Sequence, residues 1–305
     1  MNTTSLVTII HNPDHDFGPS SEKAVQTFRG ALAAQGLESV VETVEEGLAA
    51  PLKDACFIRA YTETGGAAHS LAERYERNRR PVIDRPASIV RGCDKIHQAM
   101  LFARAGIATP ATRLVTSLGH LKSAVQALGS WPIVAKDPGG AFCSGIGIAH
   151  SAVELEDLTA LYLSRSGGVV LQAFMPTEFD WRIGVLDGRP LFAAQYWMAP
   201  DSWKIRKSGA EGSVWGAAGP VALAAAPRAV VATAVAAADV MGPGLWGVDL
   251  KVVGNQVFVI EVNDNPNIDD DCEAAVPQDQ VWGRLATWFR DAVEQTAERQ
   301  RASVA

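Results

Sequence analysis

The stretch Gly247-Val-Asp-Leu-Lys-Val-Val-Gly-Asn-Gln-Val-Phe-Val-Ile-Glu-Val-Asn-Asp-Asn-Pro266 contains two runs of β-branched and apolar residues around a Gly-Asn pair. This pattern predicts a β-hairpin. Three oxygen-bearing side chains interrupt its strands, namely those of Asp249, Glu261 and Asn263. Charged groups inside otherwise buried strands are costly unless they are paired or bind a metal ion.

The register of the hairpin decides whether these three side chains meet. Glu261 and Asn263 leave the same face of one strand because they are two residues apart. Asp249 joins that face, opposite Glu261, if residues 254–256 form a three-residue loop, whereas a two-residue Gly-Asn turn would put the carboxylates on opposite faces. Two carboxylates and an amide carbonyl on one face suit Mg²⁺ that also holds phosphate oxygens. The alternative is a hairpin with these polar residues on a solvated face.

The composition limits the class of protein. With 305 residues, 48% hydrophobic and 20% charged, the chain is expected to be a soluble globular protein of more than one domain. The formal net charge of −7 argues against non-specific binding to nucleic acid or anionic membranes. No signal peptide or membrane span is expected, and the four cysteines lack zinc or disulfide spacing. We therefore expect a cytoplasmic location and reduced thiols.

Alternating strands and helices in the first 93 residues predict a small, mostly parallel sheet. The elements expected there are a strand at 5–10, a helix from Ser20 or Ser21 to Gly36, strands at 38–44 and 55–61, a helix at 67–79 and a strand at 81–84. The next expected element is a helix that is capped by Asp94 and runs through Ala105, with Ile96, Met100 and Ala103 facing inward. After it we expect helices at 117–128 and 153–164 between strands, two antiparallel strands in 178–199 and a helix at 222–241. A last helix is expected to carry Val281, Leu285, Trp288, Phe289 and Ala292 on one stripe.

A second informative stretch is Trp131-Pro-Ile-Val-Ala-Lys-Asp-Pro-Gly-Gly-Ala-Phe-Cys-Ser-Gly-Ile-Gly147, where an apolar strand ends at Lys136 and enters a glycine-rich loop. Glycine lets backbone N–H groups approach an anion, and a lysine on a strand supplies a fixed positive charge. The glycine spacing fits neither a Walker loop nor a Rossmann fingerprint. The stretch predicts a phosphate-binding loop, with a flexible surface loop as the alternative.

Further candidate ligand-binding residues stand at the ends of strands and helices. Lys95 lies in a first helical turn, where the helix dipole disfavours a cation and an anionic partner would compensate. The strand that ends at Gln172-Ala-Phe-Met175 can offer backbone groups to a purine, and Glu178 can reach sugar hydroxyls. Arg182 could hold a phosphoryl group bidentately, or form an ordinary salt bridge with a nearby acid such as Asp180.

Taken in this order, the residues resemble the ATP-grasp superfamily, and within it the RimK-like amino-acid and peptide ligases. The resemblance covers about 57–289, and its most specific pieces are 247–249 with 261–267, and 176–188. It implies a mixed α/β (α+β) ATP-grasp fold, with a pre-ATP-grasp domain at 1–93, a central subdomain with the glycine loop at 94–175, and a C-terminal subdomain with the metal site at 176–305. ATP would lie between the last two.

The resemblance also implies a role for each matching residue. The implied ATP-binding residues are Lys95, Lys136, Gly140, Ser144, Gly145, Gln172, Phe174, Met175 and Glu178. Arg182 and Lys136 are the implied catalytic residues, and Asp249, Glu261 and Asn263 are the implied ligands of two Mg²⁺ or Mn²⁺ ions. The family usually has an acidic residue where Ala173 stands, so that hinge contact must come from the backbone. The segment 204–219 lacks the family's usual asparagine, so its role stays open.

The implied activity is that of an ADP-forming carboxylate–amine ligase, which joins amino-acid-like substrates in an amide or peptide bond through an acyl phosphate. An amine could lose its proton to, or be bound by, Asp264 or the acidic run 269–271, and that run could also be a solvated loop. Substrate-pocket candidates near strand ends are Arg59, Thr62, Thr64 and His69.

Two other functions remain open at this level. One is an ATP-grasp kinase that phosphorylates a small alcohol, and the other is a catalytically inactive nucleotide-binding regulatory protein. The expected partners are small amino-acid or peptide substrates, with no nucleic acid and no membrane. A homodimer or homotetramer is the family-level expectation.

Overall fold

The structure, a computed structural model, describes residues 4–12, 20–140, 145–209 and 212–304. The strands are β1 (Leu6–His11), β2 (Glu38–Glu42), β3 (Ala55–Arg59), β4 (Val82–Ile83), β5 (Thr112–Val115), β6 (Ile133–Lys136), β7 (Ile146–Ala149), β8 (Val169–Ala173), β9 (Phe179–Leu186), β10 (Arg189–Trp197), β11 (Arg206–Gly209), β12 (Gly212–Trp215), β13 (Ala218–Val221), β14 (Leu245–Val253) and β15 (Gln256–Asp264). The helices are α1 (Glu22–Ala34), α2 (Val44–Ala49), α3 (Ala67–Arg77), α4 (Pro86–Gly92), α5 (Lys95–Ala105), α6 (Leu121–Leu128), α7 (Ala152–Ser166), α8 (Arg228–Met241) and α9 (Val281–Val304), with 3₁₀ turns at Leu118–His120 and Pro277–Asp279.

The first four strands form the predicted parallel sheet, in the order β2-β1-β3-β4. Helices α1 and α9 cover one face, where Phe28, Phe57 and Phe289 pack together with ring centroids 4.9–5.9 Å apart. Helices α3 and α4 cover the other face. Burial of apolar surface on both faces explains why these strands read as nearly continuous apolar runs.

One predicted strand in this region is too long. The strand expected at 38–44 ends at Glu42, because Thr43 starts helix α2. The Thr43 hydroxyl accepts a hydrogen bond from the backbone N–H of Glu46, and the Glu46 carboxylate accepts one from the backbone N–H of Thr43. This reciprocal capping stabilises a helix start that the β-branched residues before it obscure.

Two larger antiparallel sheets and a two-stranded one, β11-β12, follow along the described part of the chain. Of the two larger sheets, one has the order β5-β8-β6-β7 and packs on α6 and α7, and the other has the order β13-β10-β9-β14-β15 and packs on α8. Residues of both larger sheets line a common cleft. The domain boundaries after residues 93 and 175 stay predictions.

The predicted hairpin is formed by β14 and β15, but its loop differs from the expected one. Val253 pairs with Gln256, so the turn contains only Gly254 and Asn255. A β-bulge at Ile260 then shifts the register by one residue. The three-residue loop was therefore wrong, yet Asp249 lies opposite Glu261 because the bulge adds the extra residue that the turn lacks.

Two helix predictions also need correction. Helix α5 was expected to bury Ile96, Met100 and Ala103, but Met100 is 61% exposed, and the buried residues are Lys95, Gln98 and Phe102. The polar side chains turn inward because they face the cleft, which periodicity of apolar residues alone does not reveal. Helix α8 begins at Arg228 rather than at residue 222, directly after Pro227. Among the described residues, no helix has both the length and the hydropathy that crossing a bilayer requires.

Candidate active site

Two adjoining cavities lie in the cleft. The main cavity, about 410 Å³, is bounded by the loop after β3, the start of α5, the glycine loop and the β14–β15 hairpin. The hinge cavity, about 130 Å³, is bounded by the end of β8, by β6 and by the same hairpin. Asp249 and Glu261 line both cavities, so two of the three predicted metal ligands lie where the cavities meet, and Asn263 lines the main cavity.

Two ion pairs occupy this junction. The ammonium group of Lys95 lies 3.1 Å from Glu261 Oε1, and it also donates to the carbonyl oxygen of Gly140. Arg182 donates two hydrogen bonds to the carboxylate of Asp249, with Nε–Oδ1 and Nη2–Oδ2 distances of 2.5 and 2.9 Å. Asn263 donates its side-chain amide to Asp249 Oδ2 at 3.1 Å. The structure therefore brings together six of the residues predicted from sequence.

Burial and charge shift the pKa values at the junction in different directions. Burial raises the pKa of Asp249 to about 6, although Arg182 opposes the shift. Burial alone would also raise the pKa of Glu261, but Lys95 and Lys136 lower it below its ordinary value. Burial disfavours the charge of Arg182, and Asp249 overcomes this and raises the pKa of Arg182. The acidic and basic groups at the junction therefore stay charged largely because each lies beside a group of opposite charge.

The predicted metal ligands provide only part of the coordination shell that Mg²⁺ requires. Within the described ranges, no group of three or more His, Cys, Asp or Glu side chains could hold a metal ion. Asp249, Glu261 and Asn263 nevertheless provide oxygen atoms around one cavity. Mg²⁺ in nucleotide sites takes one or two carboxylates and completes its shell with phosphates and water. For Asp249 to bind an ion, Arg182 must release it and the amide of Asn263 must present its oxygen.

Gly247 makes room for this arrangement, because it lies opposite Asn263 in the hairpin. A Cβ atom at position 247 would lie 2.6 Å from Pro266 Cβ and 3.0 Å from Arg182 Nη1. We expect Gly247→Ala to destabilise the fold by about 1–3 kcal/mol through overpacking and to lower activity. Urea denaturation measures the first effect. Gly30→Ala, in a helix with open space around it, is the matched control and should stabilise by roughly 0.5–1 kcal/mol.

The glycine loop joins the antiparallel strands β6 and β7, with Lys136 at the end of β6. Lys136 is 6% exposed, and its Nζ lies 3.5 Å from the carbonyl oxygen of Ile260. Burial lowers the pKa of Lys136 to about 8, although Glu261 opposes the shift. Gly140 lines the main cavity, while Gly145 has a φ of 67° and closes the loop, accepting a hydrogen bond from the Asp137 N–H. Ser144 lies outside the described residues.

The predicted hinge residues Gln172, Phe174 and Met175 line the hinge cavity. Glu178 lines a neighbouring pocket that also contacts Phe174 and Met175. The sequence analysis missed the ion pair between Lys251 Nζ and Asp180 Oδ1, 2.6 Å apart, on the wall of the hinge cavity. A signal for Lys251 was present, because it stands two residues after Asp249 and so shares its strand face.

Tyr196 is a second residue that sequence reasoning missed. Its ring lies 5.1 Å from the guanidinium carbon of Arg182, which permits a cation–π contact, and its hydroxyl donates to Glu273. Tyr196 lines both cavities. Its position on β10, directly across from Asp180 on β9, follows from strand pairing and not from any sequence motif.

Two of the four substrate-pocket candidates do not line the main cavity, and two do. Arg59 is 1% exposed and donates to Asn265 Oδ1 at 2.6 Å and to the Pro266 carbonyl at 2.7 Å, so it anchors the turn after β15. His69 is buried in α3. Thr62 and Thr64 line the cavity.

The acidic residues considered as amine-binding groups also differ in whether they line the main cavity. Asp264 lines the main cavity and accepts a hydrogen bond from Thr62. Burial raises the pKa of its carboxyl group. In the run 269–271, Asp269 accepts from the backbone N–H of Ser21, and Asp270 accepts from Trp282 Nε1 and the Thr27 hydroxyl. Asp269 and Asp270 therefore serve the attachment of α1 and α9, and Asp271 is exposed. The segment 204–219, left open above, forms β11 and β12, and Ile205 and Trp215 line the main cavity.

Comparison with known proteins assigns this architecture to a family. A sequence model of the RimK-like ATP-grasp domain matches residues 92–275. A probable alpha-L-glutamate ligase of Aliivibrio fischeri (strain MJ11) is 27% identical over 227 residues, which cover 72% of this chain and 69% of that protein. The chain spans between 63% and 69% of the length of this and two further curated relatives with the same description.

Solved structures show the same fold. The D-alanine–D-alanine ligase from Bacillus anthracis has a TM-score of 0.69 at 17% identity, over 99% of this chain and 100% of that one. A RimK domain ATP-grasp protein from Sphaerobacter thermophilus DSM 20745 has a TM-score of 0.67 at 17% identity, over 94% of this chain and 99% of that one. The predicted ATP-grasp fold is confirmed, and the chain belongs to the RimK-like ATP-grasp family.

Proposed function

We propose that this chain is an ATP-dependent carboxylate–amine ligase that forms an amide bond and releases ADP and phosphate. One observation carries the proposal: two buried cations, Lys95 and Arg182, pair with two acids, Glu261 and Asp249, at the junction of the two cavities. Phosphoryl transfer needs such preorganised charges more than it needs a protein nucleophile. The relatives named above are ligases, which agrees with this class of reaction.

In this proposal the hinge cavity holds the nucleotide base and the junction holds its phosphates. The backbone of residues 172–175 would contact the base, and Lys95 and Lys136 would bind phosphate oxygens. Mg²⁺, held by Asp249, Glu261 and Asn263, would neutralise phosphate charge when bound. Arg182 would turn from Asp249 to the transferred phosphoryl group, for which its planar guanidinium is suited. Tyr196 would keep the guanidinium in place beneath that group.

The reaction then has two balanced steps. An oxygen of the substrate carboxylate attacks the γ-phosphorus of ATP, the bond to the β-phosphate oxygen breaks, and an acyl phosphate and ADP form. The amine nitrogen attacks the acyl carbon, the C–O bond to phosphate breaks, and the nitrogen gives up a proton. The substrates are proposed to be small, amino-acid-like molecules in the main cavity. The kinase and the inactive regulatory protein are not favoured by the names of the relatives.

The proposal is tested by ADP release from the purified chain with Mg²⁺ and ATP, against pools of amino acids and dipeptides, with and without hydroxylamine. We expect substrate-dependent ADP release and a hydroxamate, the product of hydroxylamine with an acyl phosphate. A phosphorylated alcohol without hydroxamate would favour the kinase. No ADP release with any pool, despite tight ATP binding, would favour the regulatory protein.

The pKa values at the junction predict a bell-shaped pH profile of kcat/KM for ATP. Asp249 loses its charge as the pH falls through about 6, and Lys136 loses its charge as the pH rises through about 8. Because kcat/KM reports ionisations of the free enzyme, the limbs should lie near these values. Lys136→Arg should move the alkaline limb upwards, since arginine stays protonated. An alkaline limb that this substitution leaves in place would contradict the role of Lys136.

A further inference from the structure

Among the described residues, the lining of the main cavity contains four acids, Glu63, Asp249, Glu261 and Asp264, but fewer cations. Among the residues that line it, the only lysine or arginine side chains are Lys95 and Arg182, and both lie at the junction, paired with Glu261 and Asp249. Every lysine and arginine of the chain falls within the described ranges 4–12, 20–140, 145–209 and 212–304, so no further cation is left uncounted. Both cations that line the cavity are therefore already paired with an acid, although the charge of Lys95 also reaches Asp264.

One wall of the main cavity is built around Asp264 and the loop after β3. Thr62 Oγ1 donates to Asp264 Oδ2 at 2.8 Å, which fixes the orientation of the carboxylate. Gly92 packs so tightly against Asp264 that a Cβ atom there would collide with the carboxylate. Tyr61, Thr62, Glu63 and Thr64 complete this wall. In the described part of the chain, Asp264 forms no salt bridge, whereas the other two acids of β14 and β15 that line the cavity do.

This wall suits a cation and disfavours an anion. A carboxylate placed against Asp264 and Glu63 would meet like charges, and Lys95, whose charge reaches Asp264, is already paired with Glu261. An ammonium group would supply the ion-pair partner that Asp264 lacks. The reacting carboxylate of the other substrate is used at the junction, next to Arg182. An amino acid such as glutamate, with its own carboxylates, would thus find no unpaired lysine or arginine among the described residues that line the cavity.

We propose that the amine substrate is a cationic amine without a free carboxylate, and that Asp264 binds its ammonium group in the orientation fixed by Thr62. This inference rests on the proposed ligase function and specifies its acceptor. Asp264 is then a specificity-determining residue, and Thr62 is a positioning residue that acts through it.

The test compares matched acceptors with a donor carboxylate identified by hydroxamate formation. We expect alaninamide to exceed alanine, and agmatine to exceed arginine, at least tenfold in kcat/KM, with glutamate slowest. In Asp264→Asn, the KM for agmatine should rise at least tenfold. Hydroxylamine is uncharged near neutral pH and needs no ammonium anchor, so the KM values for the donor and for ATP in the hydroxamate assay should change less than twofold. Asp271→Asn makes the same chemical change at an exposed position outside the cavity and serves as control.

Each other outcome overturns a stated part of the inference. Alanine, arginine or glutamate as the better acceptor would show that the cavity selects a carboxylate after all. A higher KM for the donor in Asp264→Asn would show that Asp264 binds the donor and not the amine. Equal loss of hydroxamate and amide formation would show that Asp264 acts in carboxylate activation or in folding. Absence of hydroxamate with every donor would instead refute the proposed ligase function, and with it this inference.

Discussion

Asp249→Asn should abolish ADP formation, with a loss in kcat of roughly a thousandfold, the upper range for removal of one electrostatic group from an active site. The substitution keeps the shape of the side chain but removes the negative charge that pairs with Arg182 and that the proposed metal site requires. Steady-state ADP release with Mg²⁺ and ATP measures the effect. ATP should still bind, because the backbone of residues 172–175 and the two lysines are unchanged.

The matched control is Asp239→Asn, the same change at an exposed residue of α8. Because loss of one partner of a buried ion pair destabilises by about 3–5 kcal/mol, unfolding must be measured alongside activity. A folded Asp249→Asn protein that keeps more than a tenth of the wild-type kcat would contradict the role assigned to this carboxylate.

Arg182→Lys should lower kcat by about 10²–10³-fold with a much smaller change in the KM for ATP. Lysine keeps the charge but cannot reproduce the bidentate fork that Arg182 presents to Asp249 and, in the proposal, to the transferred phosphoryl group. It also loses the planar contact with the ring of Tyr196. A fall in kcat at nearly constant KM identifies an interaction that is made mainly in the transition state.

Arg189→Lys is the control for this change, because Arg189 is an exposed arginine at the start of β10 in the same sheet. It should leave kcat within about twofold, as expected for surface substitutions away from packed features. If Arg182→Lys instead raised the KM for ATP and left kcat unchanged, Arg182 would be a binding residue for ATP and not a group that stabilises the transferred phosphoryl.

The β14–β15 hairpin shows how far sequence reasoning reaches. Alternation along β15 correctly placed Glu261 and Asn263 on one face, because the side-chain period of a strand is fixed by the backbone. The position of Asp249 opposite Glu261 was predicted from the wrong loop length. A bulge at Ile260 has no signature in an apolar run, since the bulged residue is as apolar as its neighbours.

Contacts between distant segments were harder to predict than the segments themselves. Helix α5 was placed correctly, but its inward face was not, because Lys95 and Gln98 are buried against polar groups contributed by the hairpin and the glycine loop. Arg59 was predicted to line the substrate pocket, yet the fold uses it to hold the Asn265–Pro266 turn. In both cases the deciding partner lies more than 40 residues away in sequence.

The most direct test of the acyl-phosphate mechanism follows one oxygen atom. The donor carboxylate identified by hydroxamate formation is labelled with ¹⁸O and incubated with the enzyme, Mg²⁺, ATP and an amine acceptor, and the released phosphate is analysed by mass spectrometry. We predict one ¹⁸O atom per phosphate, because the carboxylate oxygen that attacks the γ-phosphorus leaves with it. Unlabelled phosphate, or label found in AMP, would contradict carboxylate phosphorylation and with it the central claim.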